Sequence, residues 1–221
     1  MLRLCLMILL TCAGDAAAGP WMRGEGEVFL SFGTNVALSD TAQRPVHWDP
    51  TVYLEYGLTP RLTLGADLYI ANGDEEETGS VFLRFPLHAA ETGLPVSASL
   101  AYGLRHDRLA DETERIARAG LHVGRPLPQG WLSADAAAIF VLGGDRTEGK
   151  LDLTWGRSIS ERWTGVLQMQ TGIGTAGDFY AKAAPSALIR VTDRTRIEIG
   201  VVHALTGDRG TGLRIATWWD F

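Results

Sequence analysis

Apolar and polar residues alternate along most of the chain from Val28 onward. The segment from Leu213 to Phe221 shows the pattern clearly. One set of its alternate positions holds Leu213, Ile215, Thr217, Trp219 and Phe221, and the other holds Arg214, Ala216, Trp218 and Asp220. A period of two residues indicates β-strands that have one apolar face.

This alternation predicts about twelve strands joined by polar turns, and no helix. The predicted strands cover residues 28–36, 52–58, 62–70, 81–85, 96–105, 117–123, 132–140, 150–155, 163–170, 179–190, 197–202 and 213–221. The tenth strand contains Pro185, which has no backbone N–H to donate and therefore requires a sheet edge or a bulge. We accordingly expect an all-β fold of consecutive antiparallel hairpins.

The connections between these strands fall into two groups. Those after the second, eighth and tenth strands are tight polar turns that end in arginine followed by an apolar residue, as in Arg61-Leu62. Those after odd-numbered strands are richer in acidic residues and glycine, as in the segment from Gly73 to Glu77. Transmembrane barrels have short turns at the periplasmic rim and more variable loops at the other rim. An even number of strands places both chain termini at the periplasmic rim.

The composition is consistent with one barrel domain. The chain has 221 residues, of which 46% are hydrophobic and 21% charged, and it contains 26 glycines. Its mean hydropathy is near zero (+0.03), as expected when apolar residues are distributed along alternating strands. The net charge of -6 argues against a nucleic-acid partner, which would require a basic surface.

Residues 1–18 have the features of a secretory signal peptide. Arg3 precedes an apolar run from Leu4 to Leu10, and the segment ends in three alanines before Gly19. The run is too short to cross a membrane core, which requires about 20 apolar residues. Cleavage after Ala18 would remove both cysteines and leave residues 19–221 as a single barrel without disulfides. Thr11 before Cys12 departs from the small residue that a lipoprotein site requires at that position.

The carboxy terminus resembles that of a known superfamily. A terminal Phe221, preceded by apolar residues at every second position, is similar to the last strand of bacterial outer-membrane β-barrel proteins. The resemblance implies an antiparallel transmembrane up-and-down β-barrel in the bacterial outer membrane, in contact with outer-membrane lipids. It also implies that Trp219 and Phe221 form a signal recognised by the barrel assembly machinery.

The polar strand faces carry many charges. These predicted lumen-lining residues are Glu55, Asp67, Arg84, Arg105, Arg118, Lys150, Asp152, Lys182, Arg190, Glu198 and Arg214, together with Asp135 and Asp220. In a barrel they would line a lumen, whereas in a secreted soluble β-sandwich they would face bulk water. The opposite faces are rich in alanine and have aromatic residues near strand ends, as in membrane-interface girdles. This distribution favours the barrel.

Two clusters carry candidate chemistry. A symmetric turn around Leu127 and Pro128 would place His122 opposite Ser133, with Asp135 one inward position further, which are the parts of a nucleophilic hydrolase. A lumen also requires polar residues at such positions without any catalysis. The acidic run Asp74, Glu75, Glu76 and Glu77 could bind a divalent cation or form a solvated loop.

The functional hypothesis is a narrow passive pore for small solutes, or a structural barrel, with no cofactor. No phosphate-binding glycine motif, zinc-ligand spacing or nucleophile elbow occurs in the sequence. A hydrolase that modifies lipids or the cell surface is the first alternative. A soluble periplasmic binding barrel is the second.

Overall fold

A computed structural model of the chain describes residues 19–38, 46–72, 76–88, 94–207 and 210–221. The signal segment and the candidate metal ligands Asp74 and Glu75 lie outside these ranges. The strands are β1 (Val28–Leu38), β2 (Val46–Thr59), β3 (Leu62–Ala71), β4 (Glu76–His88), β5 (Val96–Asp107), β6 (Glu112–Leu127), β7 (Gly130–Leu142), β8 (Thr147–Ser158), β9 (Trp163–Ile173), β10 (Phe179–Arg190), β11 (Thr195–Thr206) and β12 (Thr211–Asp220). Among the described residues, no helix is long and apolar enough to cross a membrane.

The twelve strands form one closed antiparallel barrel, in which each strand pairs with its neighbours in sequence. β1 and β12 close the ring, with Leu30 opposite Trp219. At the end of this seam, Val28 N–H donates to the Phe221 carbonyl and Phe221 N–H donates to the Val28 carbonyl, at 3.1 and 2.9 Å. The predicted fold class is therefore confirmed. We call the end where β1 begins and β12 ends the terminal rim, and the opposite end the loop rim.

Most strands extend beyond the segments predicted from alternation. β6 runs over Glu112–Leu127, whereas the apolar alternation covers only residues 117–123. The additional turn-side residues, including Glu112, Thr113 and Arg115, are polar and exposed. Hydrophobic periodicity marks only the part of a strand that has an apolar face, so it misses polar extensions that continue the hydrogen-bond ladder.

The barrel has its apolar residues outside and its polar residues inside. Outward side chains such as Leu100 and Val81 are 60% and 57% exposed, while inward Glu55 is 0% exposed. Large exposed apolar side chains recur on the outside of strands all around the ring. A water-soluble barrel would bury such side chains, because each costs about 1.5–3 kcal/mol when left in water. This arrangement is typical of a lipid-facing exterior.

Pro185 does not interrupt β10. It points outward opposite Leu167, and the pairing with β9 is continuous from Phe179 to Ile189. On the other side, the pairing with β11 has a register shift between Ala181 and Lys182, and neither residue 184 nor residue 185 is paired there. The missing N–H of proline thus falls where the ladder is irregular, as the sequence predicted.

The rims carry aromatic residues but differ less in loop length than predicted. Tyr56, Trp155, Trp163 and Trp219 lie near the terminal rim, whereas Tyr102 lies midway along β5. Described connections at the terminal rim include residues 60–61, 128–129 and 191–194. Those at the loop rim, residues 108–111, 143–146 and 174–178, are only slightly longer. The described loops therefore add little length beyond the strands.

Candidate functional site

All the charged residues predicted to line the lumen occupy inward-facing strand positions. Glu55, Arg84, Arg105 and Glu198 are buried. The others are Asp67, Arg118, Asp135, Lys150, Asp152, Lys182, Arg190, Arg214 and Asp220. Strand alternation explains this placement, because each of these residues shares its face with the other polar residues of its strand. The sequence did not show which of them pair with each other.

The amino-terminal arm, residues 19–24, folds back into the lumen at the terminal rim. Close contacts trace its path: a Cβ placed on Gly19 would lie 3.2 Å from Ser133, and one on Gly124 would lie 2.4 Å from Pro20. At its other end, a Cβ on Gly57 would lie only 1.9 Å from the Gly24 carbonyl oxygen. The arm therefore crosses this mouth of the barrel from β6 and β7 to β2.

Arg23 anchors the arm. Its Nε donates to Glu55 Oε2 at 2.6 Å, and the two side chains are only 12% and 1% exposed. Its guanidinium also lies 4.5 Å from the centre of the Phe29 ring, and its backbone N–H donates to Thr63 Oγ1 at 3.2 Å. The arm is thus held by a charge-assisted hydrogen bond and a cation–π contact, both shielded from water.

An aromatic cluster fills the side of the lumen that receives the arm. Phe29 packs edge-on against Trp218 with ring centroids 5.6 Å apart, and Tyr53 stacks on Phe82 at 5.8 Å. Trp21 of the arm packs against the same cluster. Rings from β1, β2, β4 and β12 meet Trp131 of β7 and Leu188 of β10 near the terminal rim, so this part of the lumen is a packed core. We call it the packed half.

Ion pairs connect strands across the packed half and toward the loop rim. Glu55 accepts hydrogen bonds from Arg84 at 2.5 Å and from the Tyr53 hydroxyl at 2.6 Å. Further ion pairs join Asp67 to Arg118 at 2.5 Å, Arg105 to Glu148 at 2.7 Å, and Glu198 to Arg214 at 3.1 Å. Glu148 belongs to β8, although the alternation predicted a loop between the strands at 132–140 and 150–155. Each of these arginines is therefore matched by a carboxylate.

The lumen face of β8, β9 and β10 is polar and more open toward the loop rim, whereas Val166 of β9 and Leu188 of β10 belong to the packed core near the terminal rim. Lys150 points inward, yet its side chain is 46% exposed, and it pairs with Asp152 at 3.1 Å. Gln170 Nε2 donates to Gln168 Oε1 at 2.6 Å, and Lys182 lies opposite Gln170 in the strand register. We call these five polar residues the polar lane. Exposure of an inward-facing lysine shows that water reaches this part of the lumen.

The candidate catalytic residues are arranged differently from the sequence prediction. His122 lies directly opposite Asp135, and Ser133 lies opposite Gly124, because Pro128 and Gln129 alone form the turn between β6 and β7. His122 Nδ1 is 2.7 Å from Asp135 Oδ1, as a histidine–carboxylate pair requires. Ser133 lies beside the arm, and within the described ranges its hydroxyl has no hydrogen-bond partner. The predicted contact between His122 and Ser133 is therefore wrong.

A different serine occupies the position next to His122. Ser99 Oγ on β5 is 2.9 Å from His122 Nε2. The sequence reading missed it because Ser99 belongs to the preceding hairpin, and its position depends on the register across the 108–111 turn. Ser99, His122 and Asp135 thus form a continuous hydrogen-bonded chain on the lumen face.

The acidic run does not form a metal site in the described residues. Glu76 and Glu77 are consecutive in β4, so they point to opposite faces of the sheet. Each contacts a different arginine: Glu76 with Arg105 at 3.6 Å, and Glu77 with Arg108 at 3.5 Å. Among the described residues, no group of three metal-ligating side chains is close enough to hold an ion.

Trp219 and Phe221 lie on the outer face of β12 at the terminal rim. Phe221 is 60% exposed, and its backbone pairs with Val28 across the seam. Its side chain therefore contributes little to the internal packing of the barrel, although its backbone closes the ring. A role as an assembly signal remains a prediction from sequence.

Comparisons with known proteins match the fold only. No family model and no curated protein matches the chain. The KdgM porin is similar in structure, with a TM-score of 0.65 and 9% identity over 86% of this chain and 99% of that chain. An outer membrane channel from Pseudomonas putida F1 has a TM-score of 0.65 and 12% identity, covering 94% of this chain and 99% of that chain. The chain has the fold of bacterial outer-membrane β-barrels.

This fold supports both channels and enzymes. Outer membrane phospholipase A from Escherichia coli is also similar, with a TM-score of 0.52 and 12% identity over 92% of this chain and 98% of that chain. The superfamily resemblance read from the carboxy terminus is confirmed at the level of fold. The function has to be argued from the residues of the lumen.

Proposed function

We propose that this protein is a narrow passive channel of the bacterial outer membrane for small hydrated solutes, constricted at one mouth by its own amino-terminal arm. The observation that carries the proposal is the polar lane. It holds an inward lysine that is 46% exposed, within a barrel whose exterior is apolar. A structural barrel with a filled interior would have no need of a wet, charged strip along three strands.

Export and assembly precede this function. Residues 1–18 direct secretion and are cleaved after Ala18, so that Gly19 becomes the first residue of the arm. The barrel assembly machinery recognises Trp219 and Phe221, and outer-membrane lipids contact the apolar exterior. Mass spectrometry of the exported protein tests the first step. An intact amino terminus, or a lipid on Cys12, would contradict it.

The charge of the lumen favours small solutes of either sign. A KdgM structure was determined in complex with disordered oligogalacturonate, which is a polyanion. In the present chain Arg84, Arg105 and Arg118 each contact a carboxylate, so their charge is largely neutralised. The polar lane itself combines Lys150 and Lys182 with Asp152. We therefore expect weak anion preference and no tight binding of an acidic polymer.

Cysteine accessibility provides a direct test, because both cysteines of the chain lie in residues 1–18 and the mature protein has none. Lys150→Cys places one thiol in the polar lane, and Leu151→Cys places one on the adjacent outward position as a matched control. In planar bilayers, a charged water-soluble thiol reagent should reduce the current of the first variant only. A protein that conducts no current, or a Lys150→Cys variant that is never modified, would refute the channel.

A further inference from the structure

The Ser99–His122–Asp135 chain has the connectivity of a nucleophilic triad. His122 on β6 lies between its two partners, with Ser99 on β5 and Asp135 on β7. The distances are 2.9 Å from Ser99 Oγ to His122 Nε2 and 2.7 Å from His122 Nδ1 to Asp135 Oδ1. All three face the lumen, so strand alternation and register alone bring them together.

The hydrogen-bond directions follow from the chemistry of the groups. An ionised carboxylate only accepts, so Nδ1 of His122 donates to Asp135. In the neutral imidazole Nε2 then accepts, and the Ser99 hydroxyl donates to it. This is the arrangement in which histidine acts as a general base toward a serine nucleophile and a carboxylate fixes the ring.

Gly120 makes the contact possible. It lies directly opposite Ser99 in the register. A Cβ at residue 120 would stand 2.4 Å from Ser99 Oγ and 2.9 Å from His122 Nε2. Any larger residue would therefore push the hydroxyl and the ring apart. The lumen slot in front of both reacting atoms is kept open by the absence of a side chain.

A cation with a spare donor stands next to the serine. Arg84 on β4 is the register partner of Ser99 on the side away from Gly120. Its side chain is buried, and its Nε has no hydrogen-bond partner among the described residues. An unused N–H donor near a reacting carbonyl stabilises the oxyanion that forms on it, even though Glu55 largely balances the charge of this guanidinium.

A small cavity begins one inward position beyond the triad, on the side of the loop rim. It has a volume of about 50 Å³, and its lining includes Ala101, Arg118, Ile116 and Ile139. Ala101 and Arg118 occupy the next inward positions beyond Ser99 and Gly120 toward the loop rim. One water molecule needs about 10–15 Å³ in this measure, so the cavity has room for an acyl group of a few heavy atoms but not for a fatty acyl chain.

We infer that Ser99, His122 and Asp135 form a hydrolytic site in the lumen that cleaves short-chain acyl esters, such as acetate esters of a solute entering by the polar lane. Asp135 lies opposite Asp152 in the register, so the triad borders that lane. Ester hydrolysis at this site is an activity separate from channel function, and it does not depend on conduction.

The reaction proceeds in two steps, acylation of Ser99 and hydrolysis of the acyl-enzyme. Ser99 Oγ forms a bond to the ester carbonyl carbon while its proton passes to His122 Nε2. The bond from that carbon to the alkoxy oxygen breaks, and the alcohol leaves with this proton. A water molecule then gives a proton to His122 while its oxygen bonds to the acyl carbon. The bond between that carbon and Ser99 Oγ breaks, and Oγ takes the proton from His122 as the carboxylic acid leaves.

Covalent labelling and hydrolysis test the site with the full exported protein in detergent. A small fluorophosphonate should label the wild type and Ser133→Ala, but not Ser99→Ala. Hydrolysis of p-nitrophenyl acetate should be lost in Ser99→Ala and fall by about 10²- to 10⁴-fold in His122→Ala. The octanoate ester should not be hydrolysed. Asp135→Asn should lower the rate of labelling while leaving the protein folded.

Heat-modified mobility in gels checks that each variant retains the barrel. Labelling that persists in folded Ser99→Ala, or that is lost instead in Ser133→Ala, would overturn the assignment. A folded wild type that neither reacts with the fluorophosphonate nor hydrolyses the acetate ester would also overturn it. In that case the hydrogen-bonded chain is a structural element of the lumen, and the bilayer experiment on the channel is unaffected.

Discussion

Replacing Arg23 with alanine should undock the amino-terminal arm. The guanidinium is the arm's charged contact with the barrel, and it bonds Glu55 at 2.6 Å inside a nearly dry pocket. It also covers the Phe29 ring at 4.5 Å. Glu55 keeps Arg84 and Tyr53 as partners in the variant, so the barrel itself should remain folded.

The size of the effect follows mainly from two of the contacts that disappear, because the third, a partly exposed ion pair between Arg23 and Asp220 at 3.7 Å, contributes little. A hydrogen bond to a charged group contributes about 1.5–3 kcal/mol. The partly shielded cation–π contact adds about 0.5–1 kcal/mol. Together the two contacts contribute about 2–4 kcal/mol to the docking free energy, and each 1.4 kcal/mol changes an equilibrium constant tenfold. The ratio of undocked to docked arm should rise between about 30-fold and about 1,000-fold.

Thiol labelling of the arm measures that ratio. Met22→Cys places a reporter beside Arg23 in a part-buried position, and residues 19–221 contain no other cysteine. When docking is fast relative to labelling, the labelling rate is proportional to the undocked fraction. Adding Arg23→Ala should therefore accelerate labelling by a similar factor, until the arm is mostly undocked. In bilayers the same change should increase the conductance.

A conservative variant serves as the control. Arg23→Lys keeps the charge but loses the flat guanidinium that both bonds the carboxylate and covers the ring, so its labelling rate should lie between the other two. The hypothesis that the docked arm constricts the channel would be refuted if Arg23→Ala left both the labelling rate and the conductance unchanged.

Three further predictions concern the arm, the lumen and assembly. Gly57→Ala should also widen the pore, because the new Cβ would stand 1.9 Å from an arm carbonyl oxygen and displace the arm. Gly149→Ala is the control: its Cβ would have nothing within 4 Å, so it should conduct like the wild type. Arg84→Glu should destabilise the detergent-refolded barrel by about 3–5 kcal/mol in urea titration, while Lys150→Glu should stay folded and shift reversal potentials toward cations. Deleting Phe221 should sharply reduce membrane-inserted yield in cells but leave refolding in detergent intact, and normal insertion would contradict its role as a signal.

The barrel could be predicted because its chemistry is local and repetitive. Each strand repeats one rule, apolar outward and polar inward, so the faces of β12 were correct residue by residue from Leu213 to Phe221. The strand with Pro185 keeps the alternation, since its proline points outward, but its inward Leu188 joins the buried core. Neighbouring strands are joined by short connections, so the sequence order also gives the order around the ring.

The arm could not be predicted, because its partners are distant in sequence. Residues 19–24 have no periodicity, and Arg23 bonds a glutamate 32 residues away. The same limit applies to inward charges such as Arg84. Alternation shows that it faces inward, but its burial beside Glu55 depends on aromatic packing from four strands. Replacing Arg84 with glutamate would therefore test stability, although the sequence alone presents it as a simple probe of ion selectivity.

The candidate catalytic residues illustrate how register decides chemistry. The predicted turn between β6 and β7 is centred on the Leu127–Pro128 bond, which pairs His122 with Ser133. The actual turn consists of Pro128 and Gln129, and it pairs His122 with Asp135. A displacement of two residues keeps every side chain on its face, so the hydrophobic pattern cannot detect the error. The contact between Ser99 and His122 depends in the same way on the register of the hairpin formed by β5 and β6.

The seam between β1 and β12 imposes an order of events on biogenesis. The arm precedes all twelve strands in the chain, yet its docking surface includes β2, β3, β6, β7 and Asp220 of the last strand. That surface exists only after Phe221 has paired with Val28. Residues 19–24 are therefore synthesised before all twelve strands but are the last to reach their native position, and their docking reports that the cylinder has closed.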